Sequence, residues 1–386
     1  MSSTKKGLAN RLFNYLKIAE KPGKIPELDG FRAFAILLVV FHHFATFYRE
    51  YHGSYFKQAI PGVAQQLMFN GWLGVDLFFV LSGYLIFHHL TTSYQKNNRV
   101  EFGKYALKRV LRTFPLYFAM IVLIVVGLIP FYQSSFTNTD VLIHVVFLQD
   151  YLGANLLTPM WSLATEEKFY LLAPLLLFLT RWDVKKSVGL LMMLIVVLTA
   201  YKSFSMNHYS DSLNAISYFE NFRAPFHYAI TSIMIGVMIA LLSQQHQPRI
   251  LPLLFWISAI VILMLMLFIN LYHANHWHGL NGLHLLIVVM FGLLIWTAVK
   301  FSGATWMKLL TGRFLRIISV LSYSWYLAHH TALPWVYRLH KQHIYSEDPL
   351  IHAASFLGIY LGLSITFSLL LHYLIEKPFL LWKDRI

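Results

Sequence analysis

Charge and cysteine are what this chain of 386 residues has least of. Only 12% of its residues are charged and 57% are hydrophobic, whereas a soluble protein of this length needs many more charges on its surface. The chain has no cysteine, which excludes disulfides, thiolate catalysis and cysteine-ligated metals. It also contains no P-loop, no glycine-rich dinucleotide loop and no GxSxG elbow, so nucleotide hydrolysis and soluble-hydrolase chemistry lack support.

Long apolar runs predict an all-α, polytopic membrane helix bundle of about ten transmembrane helices. Most lysines and arginines fall in the segments that alternating spans leave on one side, which predicts that both termini are cytoplasmic. The formal charge of +14 therefore reflects the orientation of the chain in the membrane, and it gives the protein a basic surface that can bind anionic ligands. No nucleic acid is expected as a partner. The predicted spans are residues 33–49, 72–91, 114–132, 163–181, 187–205, 224–243, 250–271, 282–300, 314–337 and 352–375.

One membrane domain, residues 26–380, is expected between a basic cytoplasmic segment, residues 1–25, and a short cytoplasmic tail, residues 381–386. The basic segment lacks the short apolar core of a signal peptide, so no cleavage is expected. It is predicted to form an amphipathic interfacial helix, and a loose basic arm fits its composition equally well.

Two ionisable residues in the first span are the strongest candidates for chemistry. Arg32 and His43 flank an apolar run and lie eleven residues apart, so on a helix they differ by only about 20° in direction and by about 16 Å in height. Ionisable groups within spans are costly and usually line a pathway or a site. His43 is therefore predicted to be catalytic, since a neutral imidazole can take a proton from a hydroxyl.

Two carboxylates are further candidates. Asp76 follows Gly74 near the start of the second span, where it could serve the site or simply cap the helix. The neighbouring pair Ser82–Gly83 would let another backbone or a thin ligand approach closely. Glu166, about two turns after the helix start at Thr158–Pro159, could orient the histidine. The alternative is an internal Glu–Lys ion pair, which would more naturally use Glu167 or Lys168 than Glu166.

A basic cluster precedes the third span. Lys108, Arg109 and Arg112 fall within about one helical turn, ahead of Pro115, which is expected to set the entry of the span. Such a cluster can bind a polyphosphate such as the nucleotide end of coenzyme A, and ordinary positive-inside anchoring explains it equally well.

Histidines recur late in the chain. His329 and His330 fall in the middle of the ninth span, and His329 is a second candidate for the site. The outer loop HANHWHGLNGLH holds four histidines, but it has no carboxylates nearby on an ordered element, so no metal is expected.

Six motifs occur in order along the chain: IPELDGFRAFAILLVVFHH, GWLGVDLFFVLSGYLIF, KRVLRTFPLYF, WSLATEEKFYLLAPLL, SYSWYLAHH and HYLIEKPF. Together they resemble the motifs of the acyltransferase-3 family over about residues 25–380. The resemblance implies a bacterial O-acyltransferase of the cytoplasmic (inner) membrane that decorates glycans such as lipopolysaccharide, peptidoglycan or exopolysaccharides. Some relatives carry an additional SGNH hydrolase-like domain that this chain lacks, so transfer is expected to finish in the membrane domain or on a separate partner.

The resemblance assigns roles to the candidate residues. The chain departs from the family pattern at Lys108, where arginine is common, and at His330, where many members have tryptophan. The family's Arg-x10-His element falls on Arg32 and His43, WSLxxE on Glu166, GVDLFF on Asp76, YLxH on His329, and RRxxRxxP on Lys108, Arg109, Arg112 and Pro115.

The expected reaction moves an acyl group from cytoplasmic acyl-CoA to a hydroxyl of an extracytoplasmic or lipid-linked glycan. The expected acyl group is acetyl, with acetyl-CoA as the donor. Arg32, Arg109 and Arg112 would receive the phosphates, and a pantetheine arm of roughly 15–20 Å matches the Arg32-to-His43 rise. The alternative is a transporter or export partner that moves a glycan or lipid without chemistry, since transporter sites also lie near mid-bilayer.

Overall fold

The chain is described by a computed structural model over residues 25–129, 136–153, 156–209, 215–245, 252–272, 277–343 and 346–386. The predicted interfacial helix in residues 1–25 lies outside these ranges but for its last residue. The described residues are helical almost throughout and contain no β-strand. Their α-helices are α1 (Glu27–Ala59), α2 (Gly62–Phe69), α3 (Gly74–Asn97), α4 (Phe102–Val125), α5 (Asn138–Val145), α6 (Gln149–Leu152), α7 (Trp161–Leu179), α8 (Val184–His208), α9 (Ala215–Tyr218), α10 (Phe226–Gln245), α11 (Leu253–Tyr272), α12 (Trp277–Lys300), α13 (Arg313–His343), α14 (Pro349–Leu371) and α15 (Lys377–Lys383).

Each predicted span overlaps one long helix, so the all-helical class is confirmed. The third span, residues 114–132, is longer than its helix: α4 ends at Val125, and residues 130–132 lie outside the described ranges, as do residues 250 and 251 of the seventh span. Within the described residues, six helices are long and apolar enough to cross a membrane, which makes this a multi-pass membrane protein. Among the other long helices, α4, α7 and α13 each carry several charged residues inside the helix. The total of ten spans and the cytoplasmic termini stay predictions.

Several helices extend beyond the ends of the predicted spans, into segments that were expected to be loops. The segment before the third span is helical from Phe102, so Pro115 lies inside α4 and does not set its entry. Helix α1 continues to Ala59, ten residues past the predicted end of the first span, and α13 continues to His343. The helix of the last span also continues past its predicted end at residue 375, because a π-helical turn leads directly into α15.

Helix α1 lies at the centre of the bundle and packs against α3, α13 and α14. Its buried face is formed by small and branched residues such as Ala35, Ile36 and Val39, each fully buried. On the outside, α7 and α8 expose large apolar side chains, for example Leu171 and Val196, as a helix bundle facing lipid does.

Helices α3 and α10 cross with their backbones in contact. A Cβ atom at Gly83 would lie 2.1 Å from the carbonyl oxygen of Ile233, and one at Gly236 would lie 2.0 Å from that of Val80. Two glycines facing each other across the crossing permit this approach, since small residues are what let membrane helices come close. The predicted close approach at Ser82–Gly83 is therefore confirmed.

Candidate active site

A cavity of about 90 Å³ lies between α1, α3, α4, α7 and α13. It has room for several water molecules. Its polar wall includes three arginines and one glutamate that the sequence had singled out: Arg32, Arg109, Arg112 and Glu166. Its apolar wall includes Phe78, Phe79, Leu81, Leu85 and Ile86, all from α3.

The arginines reach the cavity from two helices. Arg32 lies in the second turn of α1, where its Nη1 atom is 3.7 Å from Oδ1 of Asp29, one turn earlier. Arg109 and Arg112 lie three residues apart on α4 and so share one face. The guanidinium of Arg109 sits 5.8 Å from the ring centre of Tyr170, a cation–π contact. Three cations around one small cavity attract anions electrostatically.

Glu166 is the carboxylate of this cavity. Its Oε1 atom accepts a hydrogen bond from Ser82 Oγ at 2.9 Å, and its Oε2 atom accepts one from the Tyr170 hydroxyl at 2.7 Å. The guanidinium groups of Arg112 and Arg32 both act on it electrostatically. The alternative of an internal Glu–Lys ion pair is wrong, because Lys168 pairs with Asp150.

His43 contacts the second candidate histidine. Its Nδ1 atom lies 2.9 Å from the carbonyl oxygen of Val39 and 3.3 Å from Nε2 of His329. His329 in turn places its Nδ1 atom 3.1 Å from the carbonyl oxygen of Trp325. Because a carbonyl only accepts, each ring in its neutral form carries its proton on Nδ1. This tautomer leaves Nε2 of His43 as an unprotonated base.

Other histidines surround this pair. The ring centre of His330 lies 5.3 Å from that of His43, and the ring centre of His42 lies 5.0 Å from it. His42 is held by the carbonyl oxygen of Phe69, which lies 2.8 Å from its Nδ1 atom. His329 is completely buried, whereas His43 is half-buried.

One tyrosine links the arginine cavity to the histidines. Tyr326 lines the cavity, and its ring centre lies 5.8 Å from that of His329, one turn later on α13. Its hydroxyl lies 2.7 Å from Ser162 Oγ and 2.9 Å from the carbonyl oxygen of Pro159. The contacts therefore run from the cavity through Tyr326 and His329 to His43, which does not itself line the cavity.

Asp76 belongs to a separate buried network. Arg223 Nη2 donates to its Oδ2 atom at 2.7 Å, Ser232 Oγ donates to Oδ1 at 2.7 Å, and His284 Nε2 lies 3.1 Å from Oδ1. The carboxylate thus bridges α3 to α10, α12 and the segment before α10. The cap alternative is wrong, because these partners are side chains of other elements and no backbone N–H of α3 is bonded to it.

A second cation lies near that network. Lys202 on α8 is 4% exposed, and its ammonium group lies 5.4 Å and 5.7 Å from the ring centres of Tyr218 and Tyr228. Charges of Arg223 and Asp76 act on it with opposite signs.

Sequence reasoning missed several of these residues. Arg223 and Lys202 were used only to assign the orientation in the membrane. They lie more than 120 positions from Asp76, so no local sequence pattern connects them with it. Tyr170 and Tyr326 gave no signal, because tyrosines are common throughout the chain. His284 was noticed only as part of a histidine-rich loop. Lys108, predicted to bind the cofactor, is half-buried on α4 and is not among the residues that line the cavity.

A comparison with protein-family models gives a match to the acyltransferase-3 family, described as an acyltransferase domain, over residues 25–373. The match covers nearly the whole chain. This protein belongs to the acyltransferase-3 family.

Two curated relatives illustrate the similarity. The chain is 33% identical over 175 residues to the peptidoglycan O-acetyltransferase OatA of Listeria monocytogenes, covering 41% of this chain and 25% of that one. It is 24% identical over 347 residues to the O-acetyltransferase OatA of Staphylococcus aureus, covering 84% of this chain and 53% of that one. The chain thus spans about half the length, or less, of these relatives. No solved structure matches it.

Proposed function

We propose that this protein is a membrane O-acetyltransferase that moves an acetyl group from acetyl-CoA to a hydroxyl of an extracytoplasmic or lipid-linked glycan. The observation that carries the proposal is the combination of an arginine-lined cavity with the contacting histidines His43 and His329, which Tyr326 links to it. Family membership and the names of the two relatives support the acetyl group and a glycan acceptor.

The cavity is proposed to hold the phosphates of the donor. Arginine forks bind phosphate oxygens in a planar, bidentate way, and three of them surround this cavity. Helix α1 is continuous from Arg32 to His43, so the two side chains are separated by about 16 Å along its axis. That rise matches an extended pantetheine arm, which would reach His43 past Tyr326.

His43 is proposed to act as the general base. Its Nε2 atom takes the proton of the acceptor hydroxyl while that oxygen attacks the thioester carbonyl. The new C–O bond forms, the C–S bond breaks, and the proton passes to the departing thiolate of CoA. His329 is a positioning residue in this scheme, because its Nε2 atom accepts from the Nδ1–H group of His43 and so fixes the tautomer.

The remaining candidates take supporting roles. Glu166 keeps Arg32 and Arg112 close together by balancing part of their charge, and its two bonds from Ser82 and Tyr170 fix it in place. Asp76 holds α3 against α10 and α12 through Arg223, Ser232 and His284.

The test compares His43→Ala with His208→Ala, a change at an exposed histidine near the end of α8. Purified full-length chain in lipid nanodiscs is given acetyl-CoA and glycan, and the release of free CoA is followed with a thiol reagent. The chain contributes no background thiol, since it has no cysteine. Loss of a general base should lower the rate about 10²–10⁴-fold while acetyl-CoA binding stays near wild type.

Two results would contradict the proposal. One is full activity of His43→Ala, which would move the base elsewhere. The other is an unchanged acetyl content of the cell's glycans when the gene is deleted, measured by mass spectrometry. The same glycan analysis would identify the acceptor sugar if acetylation is lost.

A further inference from the structure

Three histidines converge at the end of the bundle opposite the arginines. They are His52 near the end of α1, His340 near the end of α13 and His352 near the start of α14. One nitrogen from each ring lies within 4.8 Å of a nitrogen from each of the others. His52 is twenty residues beyond Arg32 on α1, about 30 Å along the helix. This cluster is therefore remote from the arginine cavity.

The rings are packed edge against face around a common point. The ring centre of His352 lies 4.6 Å from that of His52 and 4.3 Å from that of His340, and the last two are 6.1 Å apart. His340 and His352 are completely buried, and His52 is half-buried. Buried polar atoms normally have hydrogen-bond partners. Here the Nε2 atom of His52 and the Nδ1 atom of His340 have none among the described residues.

The outward nitrogens of two rings are held by hydroxyl groups. Nδ1 of His352 lies 2.7 Å from the Tyr48 hydroxyl, and Nε2 of His340 lies 2.9 Å from Ser355 Oγ. Such bonds fix the tautomer and the ring orientation, and histidines that bind metals usually have them on the nitrogen that faces away from the metal.

The backbone at His52 departs from helical geometry. His52 has φ −138° and ψ 44°, whereas the helix continues on both sides of it. The departure changes the direction of the chain where His52 meets the other two histidines.

We propose that His52, His340 and His352 bind one divalent transition-metal ion, Zn²⁺ in the first instance. Three imidazoles and a water molecule form a known tetrahedral zinc set, with Zn–N distances of about 2.0–2.1 Å. Tetrahedral geometry at those distances puts the nitrogens about 3.3 Å apart. Small rotations of the side chains would bring them there from their present separations.

The proposed ion would join three helices that also carry the histidine pair. His43 lies nine residues before His52 on α1, and His329 lies eleven residues before His340 on α13. These distances along the helices, about 14 and 16 Å, are too long for the ion to contact the reacting atoms. The ion is therefore assigned a structural role, which is to fasten α1 to α13 and α14, and it does not depend on the proposed acetyl transfer.

Metal binding can be measured directly on the whole protein. The full chain is purified through a tag without histidine, stripped with a chelator and titrated with Zn²⁺ by calorimetry. A second titration with Co²⁺ follows visible absorption, whose intensity distinguishes four-coordinate from six-coordinate cobalt. We expect one ion per chain, an intense four-coordinate cobalt spectrum, and a melting temperature raised by about 5 °C or more at saturating Zn²⁺.

Variants assign the site. His340→Ala and His52→Ala should each weaken Zn²⁺ binding at least about 100-fold and abolish the rise in melting temperature. His343→Ala is the matched control, because His343 is exposed and lies three residues after His340 on the same helix. It should behave like wild type.

Either of two outcomes overturns the proposal. Wild-type protein that takes up no Zn²⁺ and gives no four-coordinate cobalt spectrum would show that the histidines simply pack together. A folded His340→Ala protein that still binds Zn²⁺ as tightly as wild type would place the metal elsewhere. Should His340→Ala fail to fold, His52→Ala and the wild-type cobalt spectrum decide the matter by the same criteria.

Discussion

Arg112 provides the sharpest test of the arginine cavity. Arg112→Gln removes one of three guanidinium groups from the cavity wall and keeps a side chain of similar length. A hydrogen bond to a charged group contributes about 1.5–3 kcal/mol. Since 1.4 kcal/mol is a factor of ten, we expect the Kd for acetyl-CoA to rise about 10- to 100-fold.

Two further variants separate charge from geometry. Arg112→Lys keeps the charge but loses the planar fork, so a smaller rise of about 3- to 10-fold is expected. Lys104→Gln removes a charge from an exposed position two turns earlier on α4 and should change the Kd less than about two-fold. Binding is measured by calorimetry on the chain in nanodiscs.

Stability has to be followed in the same preparations. Because the arginines repel one another, removing one should leave the melting temperature of the ligand-free protein unchanged or slightly higher. An Arg112→Gln protein that melts normally and binds acetyl-CoA within two-fold of wild type would refute the assignment of the cavity to the donor's phosphates.

Two more predictions concern the helix crossing and the cavity carboxylate. Gly83→Ala places a methyl group against the backbone of α10 and should cost about 1–3 kcal/mol of stability, seen as a lower melting temperature in detergent, whereas Gly103→Ala, which has open space, should be tolerated. Glu166→Gln makes the cavity more positive and should lower the KM for acetyl-CoA about 3- to 10-fold in the CoA-release assay. A raised KM would instead mean that the carboxylate itself contacts the donor favourably.

The sequence predicted the local features well, because hydropathy and helical periodicity are local properties. It predicted the helix class, the continuous helix that carries Arg32 and His43, and the shared face of Arg109 and Arg112. It misplaced the helix ends near Ala59 and His343, because beyond the apolar core the hydropathy falls while the helix is continued by packing.

The sequence did not predict which side chains contact each other. The sequence suggested that Glu166 orients His43, but in the structure the oxygens of Glu166 accept from Ser82 and Tyr170. The rings that contact His43 are other histidines, and His329 places its Nε2 atom 3.3 Å from Nδ1 of His43. Composition likewise favoured Lys108 as part of the binding cluster, whereas the cavity wall takes only the arginines that follow it.

The sequence by itself determined that this is a helical membrane protein and which ionisable residues it carries into its spans. Only the tertiary structure decided which of them meet: the three arginines with Glu166, His43 with His329, Asp76 with Arg223, and His52 with two histidines nearly 300 positions away. The reason is physical. A helix fixes the spacing of its own side chains, but contacts between helices depend on how their surfaces pack, as at the Gly83 crossing, and no short stretch of sequence encodes that packing.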